Sequence, residues 1–221
     1  MLITNQKQLR QYYTDQRIWQ GIPSVEVTDK GRIFVTWYSG TTKEGDGNYT
    51  FVCMSDDGVN YSEPVVAAYV DGHRCFDPCL WMDPLGRLWF TWAIQPDDAL
   101  WGSICQDPDA KTLRWSEPFK IGHNIMMNKP VVLSTGEWLF PLAVWNYSKR
   151  EVTPEFLSDP TKRLSFVYKT VDNGKTFTCL GGANVPDRIY DEHMVVELTD
   201  GRLMMLVRTR YKTKCKWATT L

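Results

Sequence analysis

The chain has 221 residues, 43% of them hydrophobic and 23% charged, which is the balance of a folded globular protein rather than a disordered one. A formal net charge of −1 gives no electrostatic basis for binding nucleic acid or an anionic membrane surface. No run of about eighteen apolar residues occurs, so no membrane span is expected.

The N-terminal stretch, Met1 to Gln11, is polar and lacks the apolar core of a secretion signal. Six cysteines, at 53, 75, 79, 105, 179 and 215, show neither CxxC spacing nor a pairing pattern. They read as buried free thiols of a reducing compartment, and the expected location is the cytoplasm. His73 and His123 have no partners at ligand spacing, so neither a metal nor a cofactor is expected.

From Ile22 onward one plan recurs: a short apolar strand, a turn ending in glycine, then a second apolar strand. The first copy runs from Ile22 to Trp37 around Gly31, the second from Asp77 to Trp92 around Gly86. The third runs from Lys129 to Phe140 around Gly136, and the fourth from Glu192 to Arg208 around Gly201. A spacing of 50 to 65 residues accommodates four strands and their loops, the size of one propeller blade. The predicted fold class is therefore all-β, a β-propeller of four-stranded antiparallel blades, with about three and a half to four blades present.

A second repeated signal follows the third strand of a unit. Thr170-Val171-Asp172-Asn173-Gly174-Lys175-Thr176-Phe177 fits Ser/Thr-x-Asp-x-Gly-x-Thr-Trp/Phe in full. Met54 to Tyr61 reads as a looser copy lacking the first hydroxyl, and Asp109 to Trp115 as a degenerate third. In such a turn the aspartate accepts from backbone N–H groups, the glycine takes a positive φ, and the aromatic plugs between strands. The role is structural.

The fourth hairpin carries the sharpest chemistry. Turning at Thr199-Asp200-Gly201, it returns Arg208 toward Glu192, sixteen positions apart in sequence. Taken alone, the pair also reads as a structural ion pair at a strand edge. After Arg208 the sequence turns basic, with Lys212, Lys214 and Lys216 close behind Arg210. Residues 211–221 are expected to be an aberrant basic tail in place of a third strand. Residues 1–210 then form an incomplete propeller, inactive alone and prone to self-association through open blade edges.

These features resemble the Asp-box, or BNR, repeats of the sialidase superfamily, whose catalytic domain is a six-bladed β-propeller. The resemblance covers about residues 17 to 210 and implies a glycoside hydrolase acting on an acidic sugar at a glycan end. Glu192, Asp200-Gly201 and Arg208 match the family's spacing of a glutamate, a turn and an arginine. By resemblance Glu192 activates a tyrosine nucleophile, and Arg208 is one of the arginines that grip the substrate's carboxylate. Where the family has Arg-Ile-Pro, this chain has Gly21-Ile22-Pro23. The family's acid/base aspartate lies in the loop that here reads Ser39 to Gly47, which offers Glu44 or Asp46.

Propeller geometry adds a ring of rim positions. Aligned on the hairpin glycines, Ile22, Asp77, Lys129 and Glu192 are taken as equivalent strand starts, flanked by Arg74, Asn128, Tyr190, Asp191 and His193. Tyr38 and Arg208 end the returning strands, with Trp92 and Trp145 close by. Mixed charges and aromatics suit a sugar, whose C–H faces stack and whose hydroxyls bond. Each has a plainer role open to it: Asp77 before Pro78 as a turn cap, Lys129 as a solvated cation, His193 as a satisfied strand histidine. The catalytic candidates are Glu192, Glu44 and Asp46. The substrate-binding candidates are Arg208, Arg74, Asp77, Lys129, His193, Tyr38 and Tyr190. Two alternatives stand beside a sialidase-like hydrolase: a non-catalytic carbohydrate-binding propeller, and a uronic-acid hydrolase or lyase using His193 or Tyr190.

Overall fold

A computed structural model describes residues 1–97, 99–123, 125–144, 164–183, 185 and 192–209, together with the backbone of 216–219. The chain divides into two compact units, Met1–Pro96 with Trp101–Lys120 and Asp97–Leu100 with Ile121–Leu221. The fold is all-β, built of antiparallel sheets of the kind that make propeller blades.

In the first unit β2 (Trp19–Val27), β3 (Ile33–Gly40), β4 (Tyr49–Ser55) and β5 (Val66–Ala68) form a meander. The polar N-terminus, which carried no strand signal, adds β1 (Leu2–Ile3) to the outer edge, pairing Leu2 with Ala68 and Ile3 with Ala67. Two apolar residues are too few to register as a periodic pattern; the exposed edge of β5 supplies the partner. A second meander follows: β6 (Arg74–Met82), β7 (Leu88–Gln95), β8 (Ala99–Cys105) and β9 (Phe119–His123). In the second unit β10 (Val131–Val132), β11 (Trp138–Ala143), β12 (Ser165–Thr170) and β13 (Thr178–Ala183) form one sheet. The last sheet joins β14 (Met194–Glu197), β15 (Leu203–Val207) and β16 (Lys216–Thr219). The third strand expected to be missing is therefore present, with Met204 opposite Thr219 and Val207 opposite Lys216. The cations around it hid a short Trp-Ala-Thr run of strand-forming composition.

Side-chain alternation along β3 shows why these segments are strands. Phe34, Thr36 and Tyr38 are fully buried, while Ile33, Val35 and Trp37 on the other face are only partly so. Phe34 joins Leu80, Leu88, Phe90 and Trp92 in one core of the first unit. Leu139, Val167, Val195, Met205 and Val207 make the core of the second. Each such fully buried Phe or Leu contributes about 1.5–3 kcal/mol.

All four inner hairpins close in the same way. The amides of Thr28, Asp83, Leu133 and Leu198 donate to the carbonyls of Arg32, Arg87, Glu137 and Arg202. The amides of Gly31, Gly86, Gly136 and Gly201 donate back to those four residues' carbonyls. The four glycines have φ of 89°, 74°, 97° and 81°, so each occupies the left-handed place of a three-residue loop.

Carboxylates on the inner strands tie neighbouring sheets together within each unit. Glu26 on β2 accepts from the Met82 amide at 2.8 Å; Glu197 on β14 accepts from the Ser134 amide and hydroxyl, both at 2.7 Å.

The aspartate-centred turns also form. Asp172 accepts from the amides of Lys175 and Thr176 and from the Thr176 hydroxyl, while Thr170 donates to Asp172 and accepts from the Gly174 amide. In the earlier copy Asp57 accepts from the amides of Val59 and Asn60, and the Gly58 amide donates to Ser55. Ser55 thus supplies the first hydroxyl that the sequence reading found lacking. This copy is one residue shorter between aspartate and glycine, which hid the match.

Hydrogen bonds from Asn60 and from Thr176 hold the Asp57 and Asp172 carboxyls well below the usual carboxylate range. A depressed pKa contributes stability that is present above the unfolded value, about 4, and is lost as pH falls below it. The difference in melting temperature between the wild type and Asp172→Ala should accordingly be largest near neutrality and shrink below about pH 4; a constant difference down to pH 2 would contradict this. In Gly86→Ala the added Cβ meets nothing within 4 Å, so the backbone conformation alone should destabilise by about 1–3 kcal/mol in urea unfolding. Unchanged stability would show that the turn tolerates a side chain.

Candidate functional site

The hairpin frame assigns equivalent places to side chains in different sheets. Ile22, Asp77 and Glu192 each stand nine residues before their hairpin glycine; Tyr38 and Arg208 each stand seven after theirs. Lys129 does not share this position. It lies seven residues before Gly136, where Met127 occupies the ninth place, and it is an exposed residue just ahead of β10. The expectation that Lys129 aligns with Asp77 and Glu192 on the hairpin glycines therefore does not hold.

Ile22 and Asp77 share more than a position. Both precede proline, both have positive φ (54° and 47°), and both sit at a register shift, between Gly21 and Ser24 in β2 and between Phe76 and Cys79 in β6. Such a conformation costs a residue with a Cβ about 1–3 kcal/mol and persists only where the surroundings impose it. A bulge re-aims the side chain it carries. At Asp77 that side chain is a carboxylate, and the residue is 95% buried.

In the first unit the rim residues form one connected cluster. The fully buried Tyr38 donates its hydroxyl hydrogen to Glu44 Oε1 at 2.5 Å and accepts from Arg74 Nη2 at 3.0 Å. Arg74 Nη2 also lies 3.1 Å from Glu44 Oε2, and its guanidinium stacks 4.0 Å from the Phe76 ring centroid. Burial, then the hydrogen bond to Glu44 and the nearby Asp77 charge, push the Tyr38 phenol well above its ordinary value. Tyr38 is therefore a proton donor that fixes Glu44.

Loop 41–47, which carries Glu44, is itself pinned. The buried Asn48 accepts from the Gly45 amide at 2.7 Å and donates to the Lys43 carbonyl at 3.2 Å, while the Gly47 amide donates to the His73 carbonyl at 2.9 Å. Asp46, the other acid candidate of this loop, is exposed.

Trp19 completes the cluster. Its ring lies 4.8 Å from Tyr38, centroid to centroid, and a Cβ at Gly21 would meet it at 2.8 Å. The space a side chain at position 21 would need is thus filled by an aromatic ring. Arg17, four residues upstream of Gly21, is engaged elsewhere: its guanidinium pairs with Glu63 at 3.2 Å and stacks on Phe51 at 4.1 Å. Neither Trp19 nor Asn48 was singled out from the sequence. Their roles rest on packing and loop hydrogen bonds that no local sequence pattern marks.

In the second unit Arg208 Nη1 lies 2.5 Å from Glu192 Oε1, as the sixteen-residue spacing predicted. The two side chains are 48% and 33% exposed, so the pair is worth at most about 1 kcal/mol of stability; its consequence is orientation. Asn128 donates from Nδ2 to the carbonyls of Glu192 and His193, both at 3.0 Å, and holds the backbone at the start of β14. His193 is buried, with Nε2 at 2.7 Å from the Phe166 carbonyl. It packs as a strand histidine. Tyr190, Asp191 and Trp145 lie outside the described residues. Among the described residues no three His, Cys, Asp or Glu side chains come together as a metal site.

No protein-family model matches the sequence, and no curated protein matches it by sequence. Solved structures do match in shape. A protein of unknown function from Dyadobacter fermentans has a TM-score of 0.62 and 16% identity over 89% of this chain and 64% of its own. The NanB sialidase of Streptococcus pneumoniae has a TM-score of 0.63 and 12% identity, covering 94% of this chain and 50% of that one. An endo-arabinase from Bacteroides thetaiotaomicron has a TM-score of 0.53 and 14% identity, covering 95% and 76%. The chain therefore spans half to about two thirds of the length of the first two. At these identities the likeness is one of fold, and the fold is the β-propeller.

The Tyr38 cluster makes a spectroscopic prediction. The phenolate absorbance of wild type minus that of Tyr38→Phe should stay flat on alkaline titration through the ordinary tyrosine range near 10 and appear only on unfolding. A difference that titrates near pH 10 in the folded protein would contradict the buried, bonded phenol.

Proposed function

We propose that this chain is a carbohydrate-active β-propeller of the glycoside hydrolase class, in which Glu192 is the principal catalytic carboxylate. The observation that carries the reading is the Glu192–Arg208 pair. A fixed hairpin register, not a chance surface contact, sets the carboxylate against the guanidinium, and both remain partly open to solvent. The titles of the solved relatives, a sialidase and an arabinase among them, are in keeping with a glycoside substrate.

Arg208 orients the Glu192 carboxylate, which a base or nucleophile needs. Glycoside cleavage also needs an acid to protonate the leaving oxygen. In the first unit Glu44, held by Tyr38 and Arg74, and the exposed Asp46 are the candidates for that role. The sialidase-like reading, in which Arg208 meets the carboxylate of an acidic sugar, is the finer version of the same proposal. A lyase acting through His193 is not favoured, because that imidazole is buried against Phe166. The free thiols of Cys53, Cys75, Cys79 and Cys105 are in keeping with a reducing compartment such as the cytoplasm.

The test is a screen of the purified chain against immobilised glycans and aryl glycosides. Saturable binding of a saccharide is expected. Wherever an aryl glycoside is turned over, Glu192→Gln should lower kcat by roughly 10²-fold or more with little change in KM. A chain that binds no saccharide overturns the proposal, and so does a Glu192→Gln variant that turns over at the wild-type rate.

A further inference from the structure

Resting on the carbohydrate reading, we infer that the Tyr38–Glu44–Arg74–Asp77 cluster is a subsite for an uncharged sugar ring, with Trp19 as its stacking platform and chief specificity determinant. Three observations carry this.

The first is charge. A site that grips an anionic sugar needs a cation that is not already satisfied. Arg74 meets Glu44 at 3.1 Å and the Tyr38 hydroxyl at 3.0 Å. The Glu44 carboxylate offsets the guanidinium and leaves no net positive charge to draw in a substrate carboxylate.

The second is space. At Gly21, where β2 reaches the level of Tyr38, a side chain would collide with the Trp19 ring. No cation can be placed there while Trp19 holds its position. What the strand offers instead is a partly buried indole next to Tyr38. Aromatic faces pack against the C–H surface of a pyranose or furanose, and the gain does not depend on charge.

The third is rigidity. Glu44 is fixed by two partners, and its loop is fixed by Asn48 and the His73 carbonyl. A carboxylate so held, and half exposed, is a ready acceptor for sugar hydroxyls and loses little freedom on binding.

Calorimetry with the full chain tests the inference, after a glycan array has identified the ring preferred. The probes are matched methyl glycosides that differ only in a C6 hydroxymethyl or a C6 carboxylate, with sialyllactose beside them. The neutral member should bind at least about tenfold more tightly than its uronate. Trp19→Ala should lose that affinity about tenfold and Trp19→Phe should recover most of it, as a packing role without sugar contact would not require. Glu44→Gln should narrow the preference by releasing the Arg74 charge. Tighter binding of the uronate or of sialyllactose overturns the inference while leaving the carbohydrate reading standing. Equal affinity of Trp19→Ala and wild type also overturns it, and absence of binding to every saccharide removes both.

Discussion

Two backbone hydrogen bonds and one left-handed glycine, repeated at Gly31, Gly86, Gly136 and Gly201, set the geometry on which everything else depends. A β-strand presents alternate residues to opposite faces, so a slip of one residue at a turn would exchange every inward side chain for its outward neighbour. The repeated turn forbids that slip. It places Phe34, Leu80, Leu139 and Val195 in their cores, and by the same registration it sets Asp77 at the bulge of β6, Tyr38 within β3, and Glu192 and Arg208 beside the ends of β14 and β15. Packing and chemistry thus have a common origin in the turn.

The charged groups so placed add little to stability. The Glu192–Arg208 pair is partly exposed, and in Arg74–Glu44 the carboxylate is half exposed. Asp77 works against stability through its strained backbone. A cluster that costs folding energy and yet is pinned by Asn48, Phe76 and Trp19 is what an organised binding site requires, because the ordering is complete before the ligand arrives.

Much of this was legible in the sequence. Glycine after a short polar turn between apolar runs has one strong physical meaning, and four copies gave the blade plan and the Glu192–Arg208 contact. The parts that were not legible share a reason. Lys129-Pro130 imitated Asp77-Pro78 because proline marks a break without fixing a register. Ser55 was overlooked because a turn can lose one residue and keep its hydrogen bonds. Strands β1 and β16 are too short, or too crowded by polar neighbours, for alternation to show, and are made strands by the edges they join. Trp19 and Asn48 act through packing against residues distant in sequence, which no local pattern records.

By fixing which residues stand nine before and seven after each hairpin glycine, the hairpin frame holds the proposed sugar-binding groups of each unit in place. Amide and indole chemical-shift mapping of the isotope-labelled chain during titration with the preferred saccharide tests it most directly. Perturbations are expected in the first unit at Trp19 to Gly21, Tyr38 to Glu44 and Arg74 to Asp77, and in the second at Glu192 and Arg208. Shifts confined to the aspartate-centred turns at Asp57 and Asp172, with those positions silent, would contradict this.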